Sequence, residues 1–461
     1  MRVCANAITL IWMLLGIFAI APRPAHAACD VAENASLDTA ASILFKCSST
    51  MALSGLPAGE KEFVANFSFP KTLPAVETPW RGIDFRVQPE RYLRTLLAYG
   101  LKDNVSIDWR IEKGSQSWCH APWFQDIRER IHGMTRERGS RLFELSEHQR
   151  SRDENWAIGF YNGVGCYGLG QVWGDPARPK TKAMVFPPNT FAIKLLFTTA
   201  PVSRVPYLTG SKIWNAAIGE GGSVQEMRLL QVDVAVKDPA AGALTGWVFG
   251  TFMYDAYAAG DDVWSKLVPV GLMWGNDPEL TAKKYQEDGG TVQESWVNPT
   301  VAARFFSLPR HHLGLFGRLN GPVDNFKSAC LACHARALDW GRGIPPEGPV
   351  FDEMNGLLPF TINPYDEQAL RHYFKNRAPT EPFVAETQSL DYSLQLAGGI
   401  FNFRRWVDLK FSSQAAETRD VAPYIFEAEK SGNAEAALSR ILPPTQDRSH
   451  VGPSPFSRDE P

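Results

Sequence analysis

The clearest patterning lies in the middle of the chain. Over residues 228–238 apolar and polar positions alternate, with Leu230, Val232, Val234 and Val236 on one side and Gln231, Asp233 and Lys237 largely on the other. A two-residue period is the signature of a strand buried on one face. Residues 191–198, 246–254 and 267–274 are rich in β-branched and aromatic side chains, are separated by Pro or Gly turns, and each predict a further strand. The Gly-rich stretch 156–173 predicts a strand pair, and the alternation of Leu390, Tyr392, Leu394 and Leu396 predicts one more strand. Strands this closely spaced, with no helical period between them, point to an antiparallel sheet or sandwich rather than a doubly wound one.

Helical spacing flanks this block. Gln88, Pro89 and Glu90 lead into 91–99, where Tyr92, Leu93, Leu96 and Leu97 share one face. Asn363 and Pro364 followed by Asp366 and Glu367 read as a helix start, with Leu370, Tyr373 and Phe374 as its buried stripe and His372 pointing away from it. Residues 433–442 predict another short helix. The expected fold class is therefore α+β. A β-rich antiparallel sheet or sandwich domain with a helical N-terminal part is expected over 28–298, and a more helical region over 299–442. Residues 443–461, rich in Pro, Ser and charge, lack a core-forming pattern and are expected to be a disordered tail.

Composition narrows the function classes. With 47 Lys+Arg against 50 Asp+Glu, the formal net charge of −3 gives no electrostatic drive toward nucleic acid. A hydrophobic content of 44% is ample for a packed core. At the N-terminus, Arg2 precedes an apolar run at 8–21, then Pro22, Pro24 and the small-x-small triplet Ala25, His26, Ala27. Residues 1–27 thus read as a signal peptide, with the mature chain starting at Ala28, and no later stretch approaches a transmembrane length. A lipoprotein is the rival reading, since Cys29 follows two small residues, but His26 stands where lipidation needs an apolar side chain. The expected location is periplasmic or otherwise exported.

Export places the cysteines in an oxidising compartment. Cys330 and Cys333 stand apart from the rest, within Cys330-Leu331-Ala332-Cys333-His334. Cys29, Cys47, Cys119 and Cys166 allow three disulfide connectivities. Nearest-neighbour pairing, Cys29 with Cys47 and Cys119 with Cys166, is the expected one, with buried free thiols as the alternative.

Cys-x-x-Cys-His is the c-type haem attachment pattern: two thiols on one helical turn add to the haem vinyl groups, and the adjacent His lies under the iron. A zinc site would need a second Cys/His pair at ligand spacing, and a dithiol redox pair would need a βαβ context. The expected cofactor is one haem c per chain, covalently attached through Cys330 and Cys333, with His334 as axial iron ligand. For the sixth position Met354 is the downstream thioether. An open position remains an alternative, as does a histidine: His311 and His312 before the motif, or His372 and His450 after it.

Two resemblances bear on this motif. The stretch Gly317, Arg318, Leu319, Asn320, Gly321, Pro322, Val323, Asp324, Asn325, running into Cys330 to His334, resembles a group of exported bacterial proteins of the mono-haem cytochrome c family. Those proteins also carry runs like 228–233 and 247–252, so the likeness spans most of the mature chain. It implies haem binding and electron transfer, with Cys330 and Cys333 attaching the haem and His334 as axial ligand. A weaker resemblance is to the β-rich cytochromes c-prime-beta and their hydroxylamine-oxidising mono-haem relatives. It rests on 186–190 leading a strand, 236–239 ending another, 246–254 following, and Cys-x-x-Cys-His coming last. Those families end soon after the motif, whereas here the chain continues to Pro461.

Outside the motif, 128–152 is Arg-rich, with His132 and His148, and adjoins Trp118, Cys119, His120 and Trp123. An anion-binding or docking surface is one reading and a self-paired charged stretch the other. His120 is expected to be packed and hydrogen-bonded rather than a ligand. The sequence thus points to a periplasmic mono-haem c-type cytochrome that passes single electrons to an unidentified redox partner protein. The alternatives are a haem enzyme or gas-ligand sensor with an open iron, and a binding module in which the haem is ancillary.

Overall fold

The computed structural model describes residues 35–46, 62–113, 117–124, 128–219, 223–242, 244–301, 313–341 and 365–411. Signal peptide 1–27, Cys29, Cys47, His311, His312, Met354, His450, the expected helix at 433–442 and the tail 443–461 lie outside these residues.

Helix α1 (Leu37–Lys46) is followed by α2 (Pro89–Leu101), which has Pro at its first turn and buries Tyr92, Leu93, Leu96, Leu97 and Gly100. The short strands β1 (Trp118–Cys119) and β2 (Thr135–Glu137) precede β3 (Asn155–Asn162) and α3 (Gly163–Trp173). Then come β4 (Phe191–Thr198), β5 (Ile213–Ala216), β6 (Gln225–Lys237), β7 (Trp247–Tyr254), β8 (Leu267–Met273), α4 (Ala282–Gln286) and β9 (Ser295–Val297). The motif forms α5 (Cys330–His334), followed by β10 (Leu338–Asp339), α6 (Glu367–Tyr373), β11 (Gln388–Ser389) and α7 (Leu394–Phe411). The fold is α+β. Nine strands form one antiparallel sheet in the order β1-β3-β4-β6-β7-β8-β9, with β2 on the free edge of β3 and β5 beside the start of β6. β10 and β11 form a separate antiparallel pair.

Register divides the sheet into two unlike faces. Successive side chains of a strand point to opposite sides. One face carries Ile158 and Phe160 from β3, Ile193 and Leu195 from β4, Val232, Val234 and Val236 from β6, Phe252 from β7 and Val270 and Leu272 from β8, all essentially inaccessible. Helix α2 lies across it. Gly250 leaves room there for Leu93, and a Cβ on Gly100 would stand 2.6 Å from Ile193 Cδ1, so small residues let helix and sheet approach. The opposite face carries Gly159 and Tyr161, Ala192 and Lys194, Gln231, Asp233 and Ala235, Phe249 and Thr251, and Gly271 and Met273. This second face is covered by the segment around the motif and by α7. It is only partly open to solvent: Gln231 is fully buried and Thr251 nearly so, while Lys194 and Asp233 keep about a quarter of their side-chain surface exposed.

Two expectations fail for local reasons. Stretch 156–173 is not a strand pair, because its second half is helix α3. The Asn162 side chain caps that helix by accepting from Gly165 N at 3.0 Å, and Cys166 is tied to Cys119, their Cα atoms 5.8 Å apart, as the expected disulfide. The glycines that suggested a strand pair serve close packing instead, since a Cβ on Gly168 would lie 2.6 Å from Phe186. Nor is 390–396 a strand. Asp391 and Tyr392 take positive φ angles of 48° and 66°, which ends extension, and Ser393 Oγ then accepts from Leu396 N at 3.1 Å to start α7. Helix α6 buries Leu370 and Tyr373 as expected, with Phe374 at its C-cap also buried, but its cap is Asp366, which accepts from Ala369 N at 3.0 Å.

Candidate haem-attachment site

Helix α5 is a single turn, too short to stand alone. It is held from outside. Cys330 N donates to Leu319 O at 3.1 Å, Leu331 N to Met273 Sδ on β8 at 3.5 Å, and Leu331 and Ala332 are fully buried. The lead-in strip is anchored by Arg318, whose guanidinium, 1% exposed, donates to the carbonyls of Asn276 at 2.8 Å, Asp277 at 2.7 Å and Leu280 at 3.0 Å and stacks over Phe374. Ser328 Oγ meets Tyr373 OH at 2.7 Å, joining the strip to α6.

Within this frame the two motif thiols are free, half-buried and on the same turn. Burial, reinforced by Asp324, pushes Cys330 well up and Cys333 up to about 12, so both are protonated at neutral pH. Burial also lowers His334 to about 4, leaving the ring neutral, which is the form that ligates a metal. Its Nδ1 lies 2.8 Å from the backbone oxygen of Tyr392. A carbonyl only accepts, so Nδ1 carries the proton and the Nε2 lone pair is left for a ligand bond. The ring packs edge-on to Phe249, centroids 4.6 Å apart. Two free thiols on one turn beside a neutral imidazole committed at Nδ1 are the donor set that a c-type haem requires.

A polar strip runs beneath the motif on the second face of the sheet. Lys194, Asp233 and Thr251 are direct neighbours across β4, β6 and β7. Lys194 Nζ lies 3.3 Å from Asp233, which also accepts from Gln231 Nε2 at 2.7 Å and from Thr251 Oγ1. Burial works against the Lys194 ammonium, but Glu137, Asp233 and Asp324 outweigh it and hold its pKa raised. Burial in turn raises Asp233 and Glu137, with Lys194 opposing. Ala192 and Ala235 are small residues on the same face, and Gly159 makes room there for the Gln395 side chain of α7.

Of the other singled-out residues, His372 sits on the outward side of α6, exposed, its ring 5.0 Å from Phe383. His120 is buried, with Nδ1 accepting from Asn66 N at 2.9 Å. The Arg-rich stretch is largely tied up internally. Arg128 donates to Gly133 O at 2.7 Å and Ala121 O at 2.8 Å, and Arg138 grips Glu144 at 2.8 and 3.0 Å while donating to Val323 O in the motif lead-in. Sequence reasoning missed Tyr392, Asp391, Lys194 and Asp233 as parts of the site. Only the polar members of the 228–238 alternation hinted at any of them.

Among the described residues no group of three or more His, Cys, Asp or Glu is placed to hold a metal ion by itself, and no helix is long and apolar enough to cross a membrane. No family model, no curated protein and no solved structure matches the chain.

Proposed function

We propose that the protein is an exported mono-haem c-type cytochrome that transfers single electrons, with Cys330 and Cys333 attaching the haem and His334 as axial ligand. The observation that carries this is the 2.8 Å contact of His334 Nδ1 with Tyr392 O beside two thiols outside any disulfide: a carbonyl can only accept, so Nδ1 holds the proton and the Nε2 lone pair remains for a ligand bond. A haem so attached supplies reversible one-electron exchange at iron. The chain's part is to hold the ring orientation through Tyr392 and Phe249 and to seat the motif turn through buried Leu331 and Ala332 and the bond from Leu331 N to Met273 Sδ. The Cys119–Cys166 bond supports an oxidising compartment. The resemblance of 317–325 and the motif to exported cytochromes points the same way.

Because thioether bonds survive denaturation, haem should stay with the chain on a denaturing gel and be lost from Cys330→Ala/Cys333→Ala. Haem retained by that double variant would overturn the assignment. A second reading, a haem enzyme or gas-ligand sensor with an open sixth position, draws support from the Lys194–Asp233–Thr251 strip, a polar patch that an electron carrier does not need. Carbon monoxide added to the reduced protein separates the two. A carrier closed by Met354 binds it only after Met354→Ala, whereas an open site binds it in the wild type.

A further inference from the structure

The carbonyl that orients His334 belongs to an unusual piece of backbone. Asp391 and Tyr392, neither of them glycine, both take left-handed φ angles, 48° and 66°. Such conformations are disfavoured for residues with a Cβ and persist where the surroundings over-determine them. Here the surroundings do so from several elements. The Asp391 carboxylate is fully buried and accepts three bonds: from Lys237 Nζ at the end of β6, from Trp247 Nε1 on β7 at 2.8 Å, and from Phe186 N at 2.7 Å. On either side of it, Leu390 N donates to Ala337 O at 2.8 Å, Tyr392 OH donates to Arg377 O at 2.8 Å, and Ser393 Oγ meets Tyr161 OH on β3 at 2.7 Å.

We propose that Asp391 is a positioning residue for the haem's histidine. Its carboxylate pins the strained 391–392 turn to the sheet, and that turn aims the Tyr392 carbonyl at His334 Nδ1. This inference rests on the haem reading above and goes beyond it by naming the residue that sets the strength of the histidine–carbonyl bond. Donation from Nδ1–H raises the basicity of the ligating nitrogen and so favours ferric over ferrous iron. Loosening the turn weakens that bond, and the potential rises.

The test compares purified holoproteins. Asp391→Asn is made together with Lys237→Met, so that no buried ammonium is left alone. Trp247→Phe removes one donor while keeping a ring in place. Asp153→Asn, at a buried carboxylate held by Gln149 and Arg204 rather than by any motif residue, is the control for loss of stability alone. Covalent haem content, melting temperature and midpoint potential are measured for each. The expected result is undiminished haem attachment with the reduction equilibrium moved about tenfold toward ferrous iron in the double variant, or about 59 mV for a one-electron couple, a smaller shift in the same direction for Trp247→Phe, and none for the control. If the double variant does not fold, Trp247→Phe decides. Potentials equal to wild type in the folded Asp391 and Trp247 variants would overturn the positioning role and leave the cytochrome reading standing. A wild type without covalent haem would overturn both.

Discussion

The two faces of the central sheet are made by the same strands and do different things. The face under α2 is uniformly apolar and close-packed, and a shift of one residue in any strand would destroy it. The face under the motif mixes Gly159, Ala192 and Ala235 with Lys194, Gln231, Asp233 and Thr251, and it is largely covered, with Lys194 and Asp233 about a quarter exposed. Burying such polar groups is tolerated only because each is bonded to another, Asp233 alone taking Lys194, Gln231 and Thr251. The difference teaches that the sheet is a partition: one side supplies folding free energy, and the other gives up part of it to build a polar, low-profile surface where the motif sits.

The comparison can be broken most forcefully where a charge on the motif side does structural work. Arg138 is buried, grips Glu144 and reaches Val323 O, so Arg138→Met should cost about 3–5 kcal/mol by chemical denaturation. A cost below about 1 kcal/mol would mean that the lead-in to the motif is held without it. On the apolar side, Leu93→Ala opens a hole over Gly250 and should cost about 2–5 kcal/mol while haem per folded molecule stays constant. Loss of haem in that variant would show that the two faces are not separable. Cys119→Ser/Cys166→Ser removes a bond closing a 47-residue separation and should cost about 2–4 kcal/mol, again without changing the haem spectrum. Thr251→Val is the smallest step. It removes one bond to Asp233 and should cost only about 1 kcal/mol, yet alter the haem absorption spectrum or carbon monoxide binding. A spectrum indistinguishable from wild type would remove the polar strip from the site.

Strands β4, β6, β7 and β8 and helix α2 were legible in the sequence within a residue or a few at each end, because their apolar periods are long and one face of each is unambiguously core. The glycines of α3 misled because Gly168 serves close packing against Phe186, and the alternation at 390–396 misled because left-handed angles at Asp391 and Tyr392 end extension and Ser393 caps α7. The Cys-x-x-Cys-His motif was legible as a candidate because its donor atoms are local, two thiols and an imidazole within five residues of one another. What the rest of the site consists of was not, since Tyr392 lies 58 positions from His334 and Lys237 lies 154 positions from Asp391.

Whatever depends on neighbours along the chain was thus determined by the sequence itself: which segments alternate, where α2 begins, and which turn carries two cysteines next to a histidine. The tertiary structure alone decided that the polar side of β6 lies largely beneath the motif segment, that burial lowers His334 toward its neutral form, and that the Tyr392 carbonyl, in a left-handed turn with Asp391, meets its Nδ1. The physical reason is that burial, tautomer and backbone strain are set by groups meeting across the fold, and a period of two or of 3.6 residues carries no record of which groups those are.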